Sequence, residues 1–268
     1  MSDLSASADV RRVAEEAMVA FKIPGLAIVA VHGGTPAGAW YLGTDANGAA
    51  LTSDSIFPVA SITKLATALA VLRLVDAGAI DLDDPLARAV PDAAAAQPGV
   101  SIRALLSHQS GLPLDVADEA TLYAPGLDWP RLATACLQTP LQRAPGARVQ
   151  YSNVGYGLLA IVVERLAGQT VATALGALVS RPLGIEAFLG VEPPRPPVVL
   201  ADVRGPFVGT PMAPYNTPFW RSLALPWSGL LTTTAGALGL IRAFQGDPVG
   251  FLTLETLVAA TRNQTDDL

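Results

Sequence analysis

Ser61-Ile62-Thr63-Lys64 sets a hydroxyl and an amine three positions apart. On a helix such a pair shares one face, so the amine can reach the hydroxyl. A serine attacks a carbonyl only when a base removes its proton. A lysine is such a base only when burial or a neighbouring charge lowers its pKa. The start of a helix adds partial positive charge and free N–H groups suited to an oxyanion. The spacing alone is a weak signal, since a chain of this length holds roughly one S-x-x-K by chance. A helix-capping serine beside a solvated lysine would have the same letters. Lysine usage strengthens the catalytic reading: the chain has fifteen arginines and two lysines, Lys22 and Lys64. Arginine, always charged, could not accept a proton, and at position 64 the chain departs from its preference for arginine.

A second set is Tyr151-Ser152-Asn153, entered through Pro145-Gly146 and followed by an apolar run. A phenol can move protons when cations lower its pKa, and an asparagine amide can orient a carbonyl or a lysine. The plain alternative is a loop tyrosine followed by a capping Ser or Asn.

These residues need elements to hold them. Asp9 to Phe21 reads as an amphipathic helix, with Val10, Val13, Ala17, Met18 and Phe21 on one side. Leu26–His32 and Ala39–Leu42 read as a strand hairpin with a loop longer than the ideal around Gly33-Gly34. Ile56–Ala60 is a short apolar approach to Ser61. Ser61–Ala77 is predicted as one helix stopped by Gly78, from the spacing of Leu65, Leu69, Leu72 and Val75. Further helices are expected at Ile102–Leu106, Trp129–Leu137, Val154–Leu166, Val171–Val179, Ala235–Phe244 and Thr253–Thr261. Pro193–Pro218 reads as irregular, and Asp92–Gly99 is the one candidate for disorder. The expectation is a mixed α/β chain of the α+β type. One domain covers 1–268, with 1–60 and 226–268 associated with a sheet and 61–225 mainly helical.

Taken in order, Ser61-Ile62-Thr63-Lys64 and Tyr151-Ser152-Asn153 resemble the first two motifs of the serine β-lactamase-like family. The branch it resembles holds class C β-lactamases, family VIII carboxylesterases and some D,D-peptidases. Phe57-Pro58-Val59-Ala60, Leu82-Asp83-Asp84-Pro85, the run from Leu105 to Leu112 and Gly229–Ala235 fit the same pattern. The resemblance spans roughly Asp9 to Gln264. It implies a β-lactamase/transpeptidase-like fold, an antiparallel sheet flanked by helices with a large helical subdomain. It implies that Ser61 is acylated, that Lys64 and Tyr151 share the acid and base roles, and that Asn153 holds Lys64 and the substrate's carbonyl side. How Lys64 and Tyr151 divide the base role stays open. The family's third motif, K-T-G, H-x-G or W-x-G, follows the segment like Gly229–Ala235, and no such strand comes before Leu268. Trp227-Ser228-Gly229 has the letters but comes too early in the order. An incomplete sheet is therefore expected, with an unpaired edge that a second chain or a further C-terminal segment would complete.

Composition narrows the rest. A net charge of −6 and no basic cluster argue against nucleic acid and anionic membranes as partners. One cysteine, Cys136, in an apolar stretch reads as a buried small hydrophobe. Two histidines and one cysteine leave no zinc motif, so no metal and no cofactor is expected. Gly155-Tyr156-Gly157-Leu158-Leu159-Ala160 matches a dinucleotide fingerprint in letters but lacks the flanking strands and the acidic residue. Ser222–Ile241 is uncharged and long enough to span a bilayer, but with Pro226, three glycines and Thr232-Thr233-Thr234 it reads as a turn plus a packed helix, not as a membrane span. The start of the chain lacks secretory features, so a cytoplasmic esterase or amidase for a small-molecule substrate is expected before a β-lactamase or D,D-peptidase. The rival is a β-lactamase-like protein that binds without catalysis, or a fragment needing another segment for activity.

Overall fold

A computed structural model describes residues 3–117, 122–205 and 207–265, with side chains from Asp9 onward. The chain opens with α1 (Asp3–Phe21), which starts before the predicted Asp9. The i,i+4 pairs Arg11–Glu15 and Arg12–Glu16, each at 2.9 Å, line its solvent face. The buried ridge is Val10, Ala14 and Met18, spaced four apart, against Trp40 and Leu42. Val13 and Phe21, expected on that face, are exposed, Phe21 at 76%. A two-stranded ribbon is wide enough to cover one ridge of a helix and no more.

That ribbon pairs β1 (Gly25–His32) with β2 (Thr35–Gly43) antiparallel, from Gly25↔Gly43 to His32↔Thr35, with a bulge at Ala30/Val31. The expected long loop is instead a tight two-residue turn. Gly33 and Gly34 have φ of +55° and +79°, a left-handed pair that glycine adopts freely and that matches the twist of a hairpin. Among the described residues, β1 and β2 pair only with each other.

A second, separate sheet has the order β3 (Phe57–Pro58), β5 (Leu231–Thr232), β4 (Ala187–Phe188), all antiparallel. One of its strands, β4, comes from the stretch read as mainly helical. Around it lies the helical body. A 3₁₀ turn at Ala60–Ile62 leads into α2 (Thr63–Asp76), so the predicted single helix over Ser61–Ala77 is two elements. Then come α3 (Ile102–Leu106), α4 (Trp129–Gln138) and α5 (Asn153–Ala167). α6 (Val171–Leu175) runs on through a wide turn at Gly176–Ser180 into α7 (Arg181–Leu183), longer than the predicted Val171–Val179. α8 (Pro218–Ser222), α9 (Thr234–Ala243) and α10 (Leu254–Thr261) complete it.

The core centres on α2 and α5. Ala66 to Leu72 and Val154 to Val163 are all buried. Such all-round burial marks a helix enclosed by others. Gly157 lets α5 approach α4, since a Cβ there would lie 2.5 Å from Cys136 Sγ. Cys136 is fully buried, and burial raises its thiol pKa to about 12, which leaves it inert. The dinucleotide-like glycines thus sit inside a helix as packing residues. Asp92–Gly99 is ordered by the same core, with Ala93 and Ala95 buried. Among the described residues no single helix is long and apolar enough to cross a bilayer.

Candidate active site

Ser61 is delivered by a bend tied to the second sheet. Val59 N–H donates to Leu230 O at 3.1 Å beside the pair Pro58↔Leu231. Ala60 then takes φ +45°, a left-handed conformation unfavourable for a residue with a Cβ. Thr63 staples this bend: its hydroxyl donates to Ala60 O at 2.6 Å and accepts from Leu230 N–H at 3.0 Å. Ser61 emerges exposed. It does not cap α2, whose N-cap position is Ile62 with no side-chain bond. The capping alternative for Ser61 is therefore not what the fold uses.

Lys64, one turn on, is 5% exposed rather than solvated. Its Nζ donates to Asn153 Oδ1 at 2.8 Å and to Trp227 O at 3.1 Å. It lies 4.5 Å from the centre of the Tyr151 ring and 5.6 Å from that of Tyr156. Burial lowers the Lys64 pKa; Tyr151 and Asp115 pull it back up without cancelling the effect. A lysine in this state is closer to neutral, and so to serving as a base, than one in water.

Tyr151 stands over Lys64 at the mouth of the site, 44% exposed. Its segment is clamped by the turn after α3. Gln150 N–H donates to His108 O at 2.8 Å, Ser152 N–H to His108 Nδ1 at 3.1 Å, and Asn153 N–H to Leu114 O at 2.7 Å. The His108 ring packs on Tyr151 with centroids 4.5 Å apart. Because Nδ1 accepts, the proton of neutral His108 is on Nε2. Burial, with help from the Lys64 charge, pushes the His108 pKa down to about 4.

Ser152 and Asn153 divide two tasks that the sequence left open between them. Ser152 is the N-cap of α5: its hydroxyl accepts from Gly155 N–H at 3.0 Å and donates to Pro113 O at 2.6 Å. Asn153 is thereby free to face inward, its oxygen on Lys64 and its Nδ2 donating to Asp115 Oδ1 at 2.6 Å.

The fold thus brings Lys64, Tyr151 and Asn153 into contact, with Ser61 one turn from Lys64. Three contributors escaped sequence reasoning. The Trp227 ligand is a backbone carbonyl, which no residue type announces. His108 looked like part of a structural loop. Asp115 sits between Leu114 and Val116, and a carboxylate in an otherwise apolar stretch is the one signal that could have marked it. Among the described residues, no group of three or more His, Cys, Asp or Glu side chains is placed to hold a metal ion.

Comparison with known proteins places the chain in a family. The model of the Beta-lactamase family matches residues 10–267. Esterase EstB of Burkholderia gladioli is 39% identical over 170 residues, 55% of this chain and 42% of that protein. Penicillin-binding protein 4 of Amycolatopsis lactamdurans is 32% identical over 231 residues, 81% of this chain and 58% of that protein. The chain spans about half the length of these relatives. Among solved structures, EstCE1, a hydrolase with promiscuous acyltransferase activity, superposes with a TM-score of 0.77 at 20% identity. That match covers 96% of this chain and 77% of the other. D-amino acid amidase of Ochrobactrum anthropi SV3, complexed with L-phenylalanine amide, gives 0.72 at 23% identity, covering 90% and 70%. At these identities the structures speak to the fold alone, which is β-lactamase/transpeptidase-like. By the family match over nearly its whole length, the chain belongs to the Beta-lactamase family.

Proposed function

We propose that this chain forms the catalytic body of a serine hydrolase that cleaves a small ester or amide through an acyl-enzyme on Ser61. The observation that carries the reading is the state of Lys64. It is an enclosed amine whose charge burial disfavours, beneath a tyrosine ring and one turn from an exposed serine. In the first half-reaction Ser61 Oγ bonds to the acyl carbon while its proton passes to Lys64 Nζ or the Tyr151 oxygen. The bond to the leaving alcohol or amine then breaks, and the leaving group takes that proton. In the second half, water adds to the acyl carbon and gives a proton to the same pair. That proton returns to Ser61 Oγ as the carboxylic acid departs. An ester is favoured as substrate over a β-lactam or a D,D-peptide by the similarity to an esterase at 39% identity. The penicillin-binding protein relative keeps peptide amides as the second choice.

The test is covalent. Exposure to a p-nitrophenyl phosphonate should add one phosphonyl group to the intact mass, and peptide mapping should place it on Ser61. A chain that stays unlabelled, or is labelled on another serine, would overturn the reading in favour of a binding protein. Turnover of p-nitrophenyl acetate against a chromogenic β-lactam then separates esterase from lactamase.

A further inference from the structure

A neutral amine carries two N–H donors and one lone pair, and only the lone pair can take a proton. Asn153 Oδ1 and Trp227 O together engage both donors of Lys64. The lone pair stays open only while the amide of Asn153 keeps its oxygen toward the lysine. Turned by 180°, the amide would present Nδ2 instead. A charged lysine would resist that, donor against donor. A neutral lysine would not, because its lone pair could accept from Nδ2 and the base would be capped. In the very state needed for catalysis, Lys64 therefore does not hold the amide in place. Asp115 does: its carboxylate only accepts, and it binds Asn153 Nδ2 at 2.6 Å on the far side.

We propose that Asp115 is a positioning residue for the hydrolase, locking the Asn153 amide so that the Lys64 lone pair remains free to receive the Ser61 proton. This rests on the reading of Lys64 as a proton acceptor. Asp115 is half-buried, and the Asn153 N–H donates to the carbonyl of its neighbour Leu114, so the acid and the amide are anchored to each other by two bonds. The flipped amide would also face its oxygen to the carboxylate, acceptor against acceptor, and Asp115 excludes it on that ground alone. The titratable groups facing Lys64 are Asp115 from the loop after α3, His108 from the turn before that loop, Tyr151 ahead of α5 and Tyr156 within it. The Asp115 charge also adds to the burial that raises the pKa of the Cys136 thiol.

The chain's two lysines make the test direct. With lysine 13C-labelled at Cε, NMR titration of the full chain resolves Lys64, and exposed Lys22 serves as an internal reference. Asp115→Asn removes the charge but keeps an acceptor for Nδ2; Asp115→Ala removes both. The Lys64 midpoint should fall by roughly half a pH unit or more in Asp115→Asn through loss of the anion. It should fall further in Asp115→Ala, where the turned amide donates to the lone pair and favours the neutral amine. Lys22 should not move. Phosphonate labelling of Ser61 should be roughly tenfold or more slower in Asp115→Ala than in Asp115→Asn, at a pH above both midpoints. Equal midpoints in the two variants, or equal labelling rates, would overturn the proposal. Absence of Ser61 labelling in the unmodified chain would instead sink the catalytic reading, and the NMR order would still decide whether Asp115 sets the amide.

Discussion

Leu69, in the middle of α2, is enclosed on every side, whereas Ile28, in the middle of β1, is only partly covered. The contrast runs through the two regions they represent. The helical body has a continuous core, and its buried polar side chains are nearly all matched. Thr63 and Ser152 each bond twice, Thr67 donates to Pro226 O at 2.6 Å, and Thr232 to Glu186 O at 2.5 Å. The ribbon with α1 buries a cluster of Ala14, Trp40 and Leu42, rimmed by partly covered neighbours. Lys64, Tyr151, Asn153, His108 and Asp115 all belong to the body. An amine with a depressed pKa needs surroundings that are both dry and rigid, because water or mobility would restore its charge. The body supplies such an enclosure, with a continuous core and matched polar groups, whereas most ribbon side chains are only partly covered.

The comparison predicts where substitutions will be felt. The largest effect is expected from Lys64→Arg, which keeps the charge and loses the proton acceptor. Turnover in the catalytic assay should drop by roughly a thousandfold or more, as for Lys64→Ala. An arginine variant with unchanged turnover would mean that position 64 acts by charge alone. Next, Tyr151→Phe should cost about 10²- to 10⁴-fold with an unchanged circular dichroism spectrum. A loss under about tenfold would remove Tyr151 from proton transfer.

Stability should divide along the same line. Leu158→Ala, in the enclosed α5, should cost about 2–5 kcal/mol in urea unfolding and slow Ser61 labelling as the site loosens. Trp40→Ala should loosen the ribbon yet leave the labelling rate at Ser61 within about twofold, because no described site residue touches that cluster. If both slow labelling equally, the two regions act as one and the distinction fails. A smaller effect concerns His108. Its folded pKa of about 4 lies below the ordinary 6.5, so between those values the unfolded chain binds a proton that the folded chain refuses. The contribution of His108 to stability is therefore fully present above about pH 6.5 and is lost as pH falls toward 4. His108→Asn keeps an acceptor and tolerates the φ of +61°. Its urea midpoint should fall less than that of the unmodified chain between pH 7 and pH 4.5.

Much of the body was legible from sequence, because its helices carry strong apolar periodicity and visible stops. Trp129–Leu137 and Val154–Leu166 were each found to within a residue at either end. Ser61 and Lys64 could be singled out by spacing together with lysine usage, whereas Tyr151 and Asn153, which a capped loop would explain equally well, stood out only through the resemblance to a family. The ribbon was harder. Pro36 and Gly38 hide the first half of β2, and the spacing of α1 does not say which of its flanks the ribbon covers. Short strands such as β4, two residues long, have no period to detect. The division of labour between Ser152 and Asn153 was illegible because both are good caps, and only the position of Pro113 O and Lys64 decides between them.

Ala60 carries a further lesson, about engineering. Its left-handed φ of +45° is held by Thr63 and β5, and a residue with a Cβ pays about 1 kcal/mol to stay there. Glycine would remove that penalty, but it would also give the unfolded chain more freedom and let the bend ahead of Ser61 sample other shapes. A screen that ranks variants by melting temperature alone would be nearly blind to position 60, as the two contributions oppose each other. A screen for turnover would not, because the direction in which the serine leaves the bend is set there. Thermal tolerance and catalytic fitness are thus expected to part company at the residue immediately before Ser61, the proposed nucleophile.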